Sequence, residues 1–229
     1  MIKLAVFDLD GTLANTLADL AAAMNYALDR EGLRTYPTDD YRQFVGNGID
    51  NLVRVTMADA YTTDGAARVK ADFNSYYADH CKDLTTAYDG VAELLSKLKA
   101  NGIETAVISN KPDRFVPEIL AQIYPEHSFG SAYGQREGIA RKPDPQALDI
   151  LIEQSGLDKS EVLYIGDSNV DVAFAHNAGV KVCGVSWGFR GSEELIKAGA
   201  DFIADTADEL YEIINTAPAT KYSGNQSVQ

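Results

Sequence analysis

Two carboxylates separated by one residue, Asp8 and Asp10 in the stretch AVFDLDGT, follow directly on an apolar run. Leu4 to Phe7 reads as a short buried strand, because an apolar run stopped by a Gly-Thr turn suits the centre of a sheet. If the chain stays extended through Asp10, the period of two puts both acids on one side. Acids so placed repel, and a cation, a shared proton or water must make the pair tolerable.

The elements that would hold these acids are legible in outline. Leu17, Leu20, Ala21, Met24 and Leu28 recur on one helical face that ends at Gly32. Further helical patterns run over 49–61 and 66–84, and no strand is expected from Asn15 to Thr86. From Tyr88 the pattern alternates: helix 90–101, strand 103–108, helices 113–123 and 145–154, strand 162–166, helix 169–178, strand 181–186. Strands separated by helices imply a parallel sheet. The expected architecture is a doubly wound α/β core from 1–14 and 87–215, interrupted by an all-helical insertion over 15–86. The end, 216–229, lacks a hydrophobic face and reads as a frayed tail.

Open α/β sheets bind ligands beyond the carboxyl ends of their strands. The expected strands end in Asp8, in Ser109-Asn110 and in Gly166-Asp167, and RKPDP carries Lys142 just before a helix, where two prolines stiffen its presentation. Asp8, Asp10 and Asp167, with Asp171 one helical turn later, form a hard oxygen set suited to Mg²⁺. Lys142 and Ser109 supply a cation and a donor for a phosphoryl group. Each residue alone has a plainer reading: an Asp-Gly turn, Ser109 as a helix N-cap, a solvated lysine, and Asp167 or Ser168 capping a helix. Their arrival at one rim favours phosphoryl transfer.

Composition excludes other classes. Of 229 residues 20 are basic and 34 acidic, and the net charge of -14 repels nucleic acid and anionic membrane surfaces. No apolar run approaches the ~18 residues of a membrane span, so neither signal peptide nor anchor is expected and the cytoplasm is the default compartment. Cys81 and Cys183 stand far apart without metal-ligand spacing and read as buried free thiols. His80, His127 and His176 are scattered, so any metal should be bound by oxygen.

In order and spacing, DLDGT, VISNK, RKPDP and GDSNVDVAFAHNAG resemble the four motifs of the haloacid dehalogenase superfamily of phosphatases, and the helical insertion resembles that family's C1 cap. FVGNGIDNLV and GVSWGFRGSEEL are most similar to phosphoglycolate phosphatases within it. The resemblance implies that Asp8 attacks phosphorus and that Asp10 protonates the leaving oxygen and then activates water, with a pKa above that of Asp8. It implies Mg²⁺ on Asp8, the Asp10 carbonyl and Asp167, with Asp171 assisting. Ser109, Asn110, Lys142 and the amides of the Gly11-Thr12 turn would hold the phosphoryl oxygens. Asn15 departs from the family's usual aspartate and weakens a hinge contact.

The implied substrate is a small phosphorylated metabolite, 2-phosphoglycolate first, handled by a monomer or homodimer. Gly46-Asn47-Gly48 opens a helix and suits either a second anionic group of the substrate or an ordinary turn. A sugar phosphomutase of the β-phosphoglucomutase type shares every motif and is the alternative. A phosphonate-cleaving enzyme needs a cap lysine, for which Lys70 and Lys82 are the candidates. A dehalogenase has no need of Asp10, and a non-catalytic relative would lack one of the acids or Lys142. Trp187, Phe189 and Arg190 suit a dimer contact, the cleft rim or the edge of the core.

Overall fold

A computed structural model describes residues 1–216. The last stretch read as a tail lies outside the described residues from 217 onward, while Thr216 ends a helix. Strand β1 (Leu4–Phe7) is buried on both faces, as a central parallel strand requires. Ala5 and Phe7 enter one apolar cluster, and Leu4 and Val6 the other on the opposite side of the sheet. Full burial of each such large side chain contributes about 1.5–3 kcal/mol.

Two-residue strands β2 (Ala14–Asn15) and β3 (Thr86–Ala87) pair antiparallel and mark where the chain leaves the core and returns. Between them lie only helices and turns: α1 (Leu17–Arg30), α2 (Tyr41–Phe44), α3 (Ile49–Met57) and α4 (Thr63–His80). Helix α1 buries Leu17, Leu20, Ala21, Met24 and Leu28 as its pattern requires. Helix α4 buries Val69, Phe73 and Tyr77. It starts before the expected residue 66 because Thr62 accepts the Gly65 N–H at 3.1 Å. It stops short of 84 because buried Asp19 on α1 takes the Leu84 N–H at 3.0 Å and the Thr85 hydroxyl at 2.7 Å, turning the chain into β3.

The chain then runs α5 (Val91–Ala100), β4 (Glu104–Pro112), α6 (Phe115–Ile123), β5 (Ser131–Gln135) and α7 (Gln146–Ser155). It closes with β6 (Val162–Gly166), α8 (Asn169–Asn177), β7 (Lys181–Val185), α9 (Gly191–Ala198), β8 (Phe202–Ala204) and α10 (Ala207–Thr216). The sheet order is β5-β4-β1-β6-β7-β8, all parallel. The chain builds outward from β1 to β4 and β5, then restarts on the other side of β1 with β6. That reversal places a crevice at the carboxyl ends of β1, β4 and β6. Two strands escape the sequence pattern: β5 is half-buried SAYGQ at one edge, and β8 at the other edge is three residues long. Cys81 and Cys183 are buried free thiols.

Candidate active site

The Asp8 N–H donates to Ile165 O at 2.9 Å, extending the pairing of β1 with β6 by one residue. The chain then turns, with Leu13 and Ala14 N–H both donating to Leu9 O at 3.0 and 2.9 Å. Asp8 and Asp10 line one cavity with Ser109 and Asp167, although the strand stops at Phe7 and a turn, not a continued extended run, carries Asp10 there. Each acid has its own ammonium. Lys142 Nζ stands 2.9 Å from Asp8 Oδ1, and Lys111 Nζ donates to Asp10 Oδ1 at 2.9 Å.

Strand β4 stays extended past residue 108 to Pro112, so Ser109 is a strand residue and not a helix cap. Ser109 and Lys111 both line the cavity with Asp8 and Asp10. Lys111, within the quoted VISNK, is the residue that sequence reasoning missed, and its place at the end of the same strand as Ser109 was its signal. Its buried ammonium also donates to the Tyr77 hydroxyl of α4 at 2.6 Å. Burial opposes the Lys111 charge, but Asp10 and Tyr77 outweigh it and hold the pKa above its ordinary value.

Lys142 is set by Asn110, whose side chain accepts the Lys142 N–H at 2.9 Å and donates to its carbonyl at 3.2 Å. The same carboxamide donates to Gly46 O at 3.1 Å. Asn110 thus spends its side chain on the Lys142 loop and the helical insertion, not on a phosphoryl oxygen. The Lys142 ammonium donates to Asp171 Oδ1 at 2.7 Å and Tyr164 Oη at 3.0 Å. Burial opposes its charge, and Asp171 and Asp8 outweigh that effect.

Two expectations for the first turn are corrected. Gly11 N–H donates to Ala14 O at 2.9 Å and Thr12 N–H to Leu9 O at 3.2 Å, so neither amide is available to a phosphoryl group. Neither residue lines the cavity. Gly11 serves by its size: at φ +89° a Cβ there would lie 2.2 Å from Asp167 Oδ2. The amides with no acceptor among the described hydrogen bonds are those of Leu9 and Asp10.

Asp8, Asp167 and Asp171 offer oxygens within 4.8 Å of one another. Burial first, and then the neighbouring acids, push Asp8 up to about 6 against the pull of Lys142. The same causes raise Asp167 well above the carboxylate range. Asp10 instead carries an ammonium and, on Oδ1, the Thr16 hydroxyl at 2.7 Å. Asp171 is committed as an acceptor: Oδ2 takes the Ser168 hydroxyl and N–H at 2.6 and 3.1 Å, in a capping box that opens α8.

Asp8 and Asp167 remain the oxygens open to a cation. Buried Asp8 Oδ1 has the Lys142 charge nearby but no aligned hydrogen-bond donor. A hard divalent ion of the Mg²⁺ kind fits this donor set.

The loop after β7 joins the site to the insertion. Trp187 Nε1 donates to Thr12 O at 3.1 Å, Phe189 N–H to Asp167 Oδ2 at 2.7 Å, and Arg190 Nη2 to Val45 O at 3.0 Å. In return Arg42 Nη1 donates to Gly188 O at 3.3 Å. Of the three alternatives for this stretch, Phe189 and Arg190 take the cleft rim. Gly46 and Gly48 line the cavity, whereas exposed Asn47 does not. Lys70 pairs with Asp50 and Lys82 with Glu118, and neither reaches the cavity.

Comparison with known proteins agrees with this arrangement. The model of the haloacid dehalogenase-like hydrolase family matches residues 5–185. A phosphoglycolate phosphatase of Vibrio parahaemolyticus is 35% identical over 219 residues, 93% of this chain and 96% of that protein. A crystal structure from Lactobacillus delbrueckii subsp. bulgaricus, 35% identical, superposes with a TM-score of 0.88 over 93% of this chain and 98% of its own. A structure from Haemophilus somnus, described as a predicted phosphoglycolate phosphatase, is 32% identical with a TM-score of 0.85, covering 93% and 97%. By motif, fold and site the chain belongs to the haloacid dehalogenase-like hydrolase family, as an enzyme of its phosphatase branch.

Proposed function

We propose that this phosphatase hydrolyses a small phosphate monoester, 2-phosphoglycolate before others, through an aspartyl-phosphate on Asp8. The observation that carries the reading is the pair of ammoniums set one on each acid in a single cavity: Lys142 beside Asp8 and Lys111 on Asp10. Two carboxylates with separate partners can take separate roles.

An Asp8 carboxylate oxygen forms a bond to phosphorus as the bond to the leaving oxygen breaks. Asp10 gives that oxygen its proton. Water then attacks the acyl phosphate, Asp10 takes the water's proton, and the Asp8–phosphorus bond breaks to release phosphate. Lys142, Ser109 and the Leu9 and Asp10 amides meet the charge on the phosphoryl oxygens. Asp8, the Asp10 carbonyl and Asp167 would hold Mg²⁺, which supplies charge neutralisation at the phosphoryl group.

Residues 1–14 and 87–215 form the catalytic unit in this reading, and 15–86 the cap. Gly46, Gly48 and Ile49 of the cap and Asp8, Ser109 and Asp167 of the catalytic unit line one cavity between them, which suits a small ester held from both sides. Among the described residues no helix is long and apolar enough to cross a membrane, and we place the enzyme in the cytoplasm.

The deciding assay is phosphate release from a panel of small esters, with and without Mg²⁺, by wild type and Asp8→Asn. Selective turnover of 2-phosphoglycolate that vanishes in either control supports the reading. Isomerisation of a sugar phosphate without release moves the assignment to a mutase.

A further inference from the structure

We propose that Tyr77 of α4 and Lys111 at the end of β4 are positioning residues for Asp10, so that the cap's own helix sets the orientation of the acid-base group. The inference rests on the role proposed for Asp10. Lys111 belongs to the core sheet and Tyr77 to the cap, and their contact at 2.6 Å is buried. The ammonium, 2% exposed, also reaches Asp10 Oδ1 at 2.9 Å and Oδ2 at 3.3 Å. One cation therefore ties a cap hydroxyl to an active-site carboxylate.

The geometry gives the tie a direction. Asp10 Oδ1 takes two short donors, Lys111 and the hydroxyl of Thr16 just before α1. Oδ2 has only the longer contact and is left as the oxygen to carry a proton toward the cavity. Tyr77 cannot follow a drifting lysine, because its ring stacks on Phe73 at 5.2 Å and meets the edge of Phe115 at 5.0 Å.

Both residues line the cavity beside Asp10, and neither is among the groups assigned above to the phosphoryl oxygens. Their effect must appear where Asp10 acts as an acid, and not in phosphoryl binding. Misplacing a reacting group by a fraction of an ångström to an ångström costs about 10- to 100-fold in rate.

Tyr77→Phe removes the hydroxyl and keeps the ring packing. Single-turnover leaving-group release should be measured with 2-phosphoglycolate, whose alkoxide needs a proton, and with p-nitrophenyl phosphate, whose phenolate does not. The expected result is a loss of about tenfold or more on the first ester and less than about twofold on the second. Equal losses on both, or none on either, overturn the inference. Lys111→Gln is read in the same way should Tyr77→Phe fold poorly. Asp10→Asn is the reference: if it shows no such selectivity, the role assigned to Asp10 fails, whereas selectivity in Asp10→Asn without it in Tyr77→Phe and Lys111→Gln defeats only the positioning role.

Discussion

Lys142 Nζ donates to Asp171 Oδ1 across 2.7 Å, between side chains no more than 3% exposed. The ammonium lies 2.9 Å from Asp8 as well, so one loop cation balances two acids, one just past β1 and one in the first turn of α8. Replacing Lys142 with Met leaves both acids buried without a countercharge. Breaking a buried pair in this way costs about 3–5 kcal/mol, and losing the cation at the phosphoryl group should lower turnover by about 100-fold or more. Urea unfolding in EDTA and steady-state phosphate release check the two effects separately. An unchanged midpoint would remove Lys142 from its structural role.

Stability should depend on pH and magnesium together. Without metal, burial holds Asp8 up to about 6 against the ordinary 3.8, and burial raises Asp167 as well. A carboxyl raised on folding stabilises the folded state fully below its unfolded pKa and loses that stabilisation as pH rises through the folded value. Metal-free protein should therefore weaken from about pH 4 to beyond pH 6, by on the order of 3 kcal/mol from Asp8 alone. Magnesium held by the ionised acids, as proposed above, would oppose this loss. Melting in EDTA and in excess Mg²⁺ should give a gap that widens with pH, absent in Asp167→Asn; a gap that stays constant contradicts the assignment.

Arg190 binds the carbonyls of Gln43 and Val45, at 3.2 and 3.0 Å, from the loop whose Phe189 N–H holds Asp167. Arg190→Ala should free this end of the cap from the core. We expect KM for the small ester to rise about tenfold with a smaller change in kcat, since closure and not chemistry is impaired. Hydrogen exchange at residues 43–46 should speed up in parallel. Unaltered exchange would show that Arg190 does not hold the cap.

Gly48 precedes α3 at φ +80°, and a Cβ there would lie 3.0 Å from Arg141 Nη1. Gly48→Val meets both the left-handed backbone and the guanidinium. If the start of α3 reads a second anionic group, the rate on 2-phosphoglycolate should fall more than that on an ester with a neutral tail. Unchanged relative rates on the two esters would assign Gly48 to an ordinary turn.

The sequence by itself determined the elements whose signal is local. An apolar run ended by Asp8-Leu9-Asp10-Gly11 specifies a buried strand with acids at its end, and periodicity along α1 specifies which face it buries. Strand ends then locate Asp8, Ser109 and Asp167 on one rim, because a parallel sheet leaves its carboxyl ends to a ligand. Edge strands β5 and β8 carry too few apolar residues for a period to show.

Tertiary structure alone decided which partner each polar group takes. Asn110 turns to the Lys142 backbone, 32 residues away, because that loop brings it an N–H and a carbonyl together. Gly11 and Thr12 lose their amides to the turn's own hydrogen bonds. Lys111 meets Tyr77 across 34 residues of chain and Asp10 across 101. Residue type shows that a buried lysine must find acceptors; only the packing of the helical insertion on the sheet shows that one of them comes from each side of the cleft.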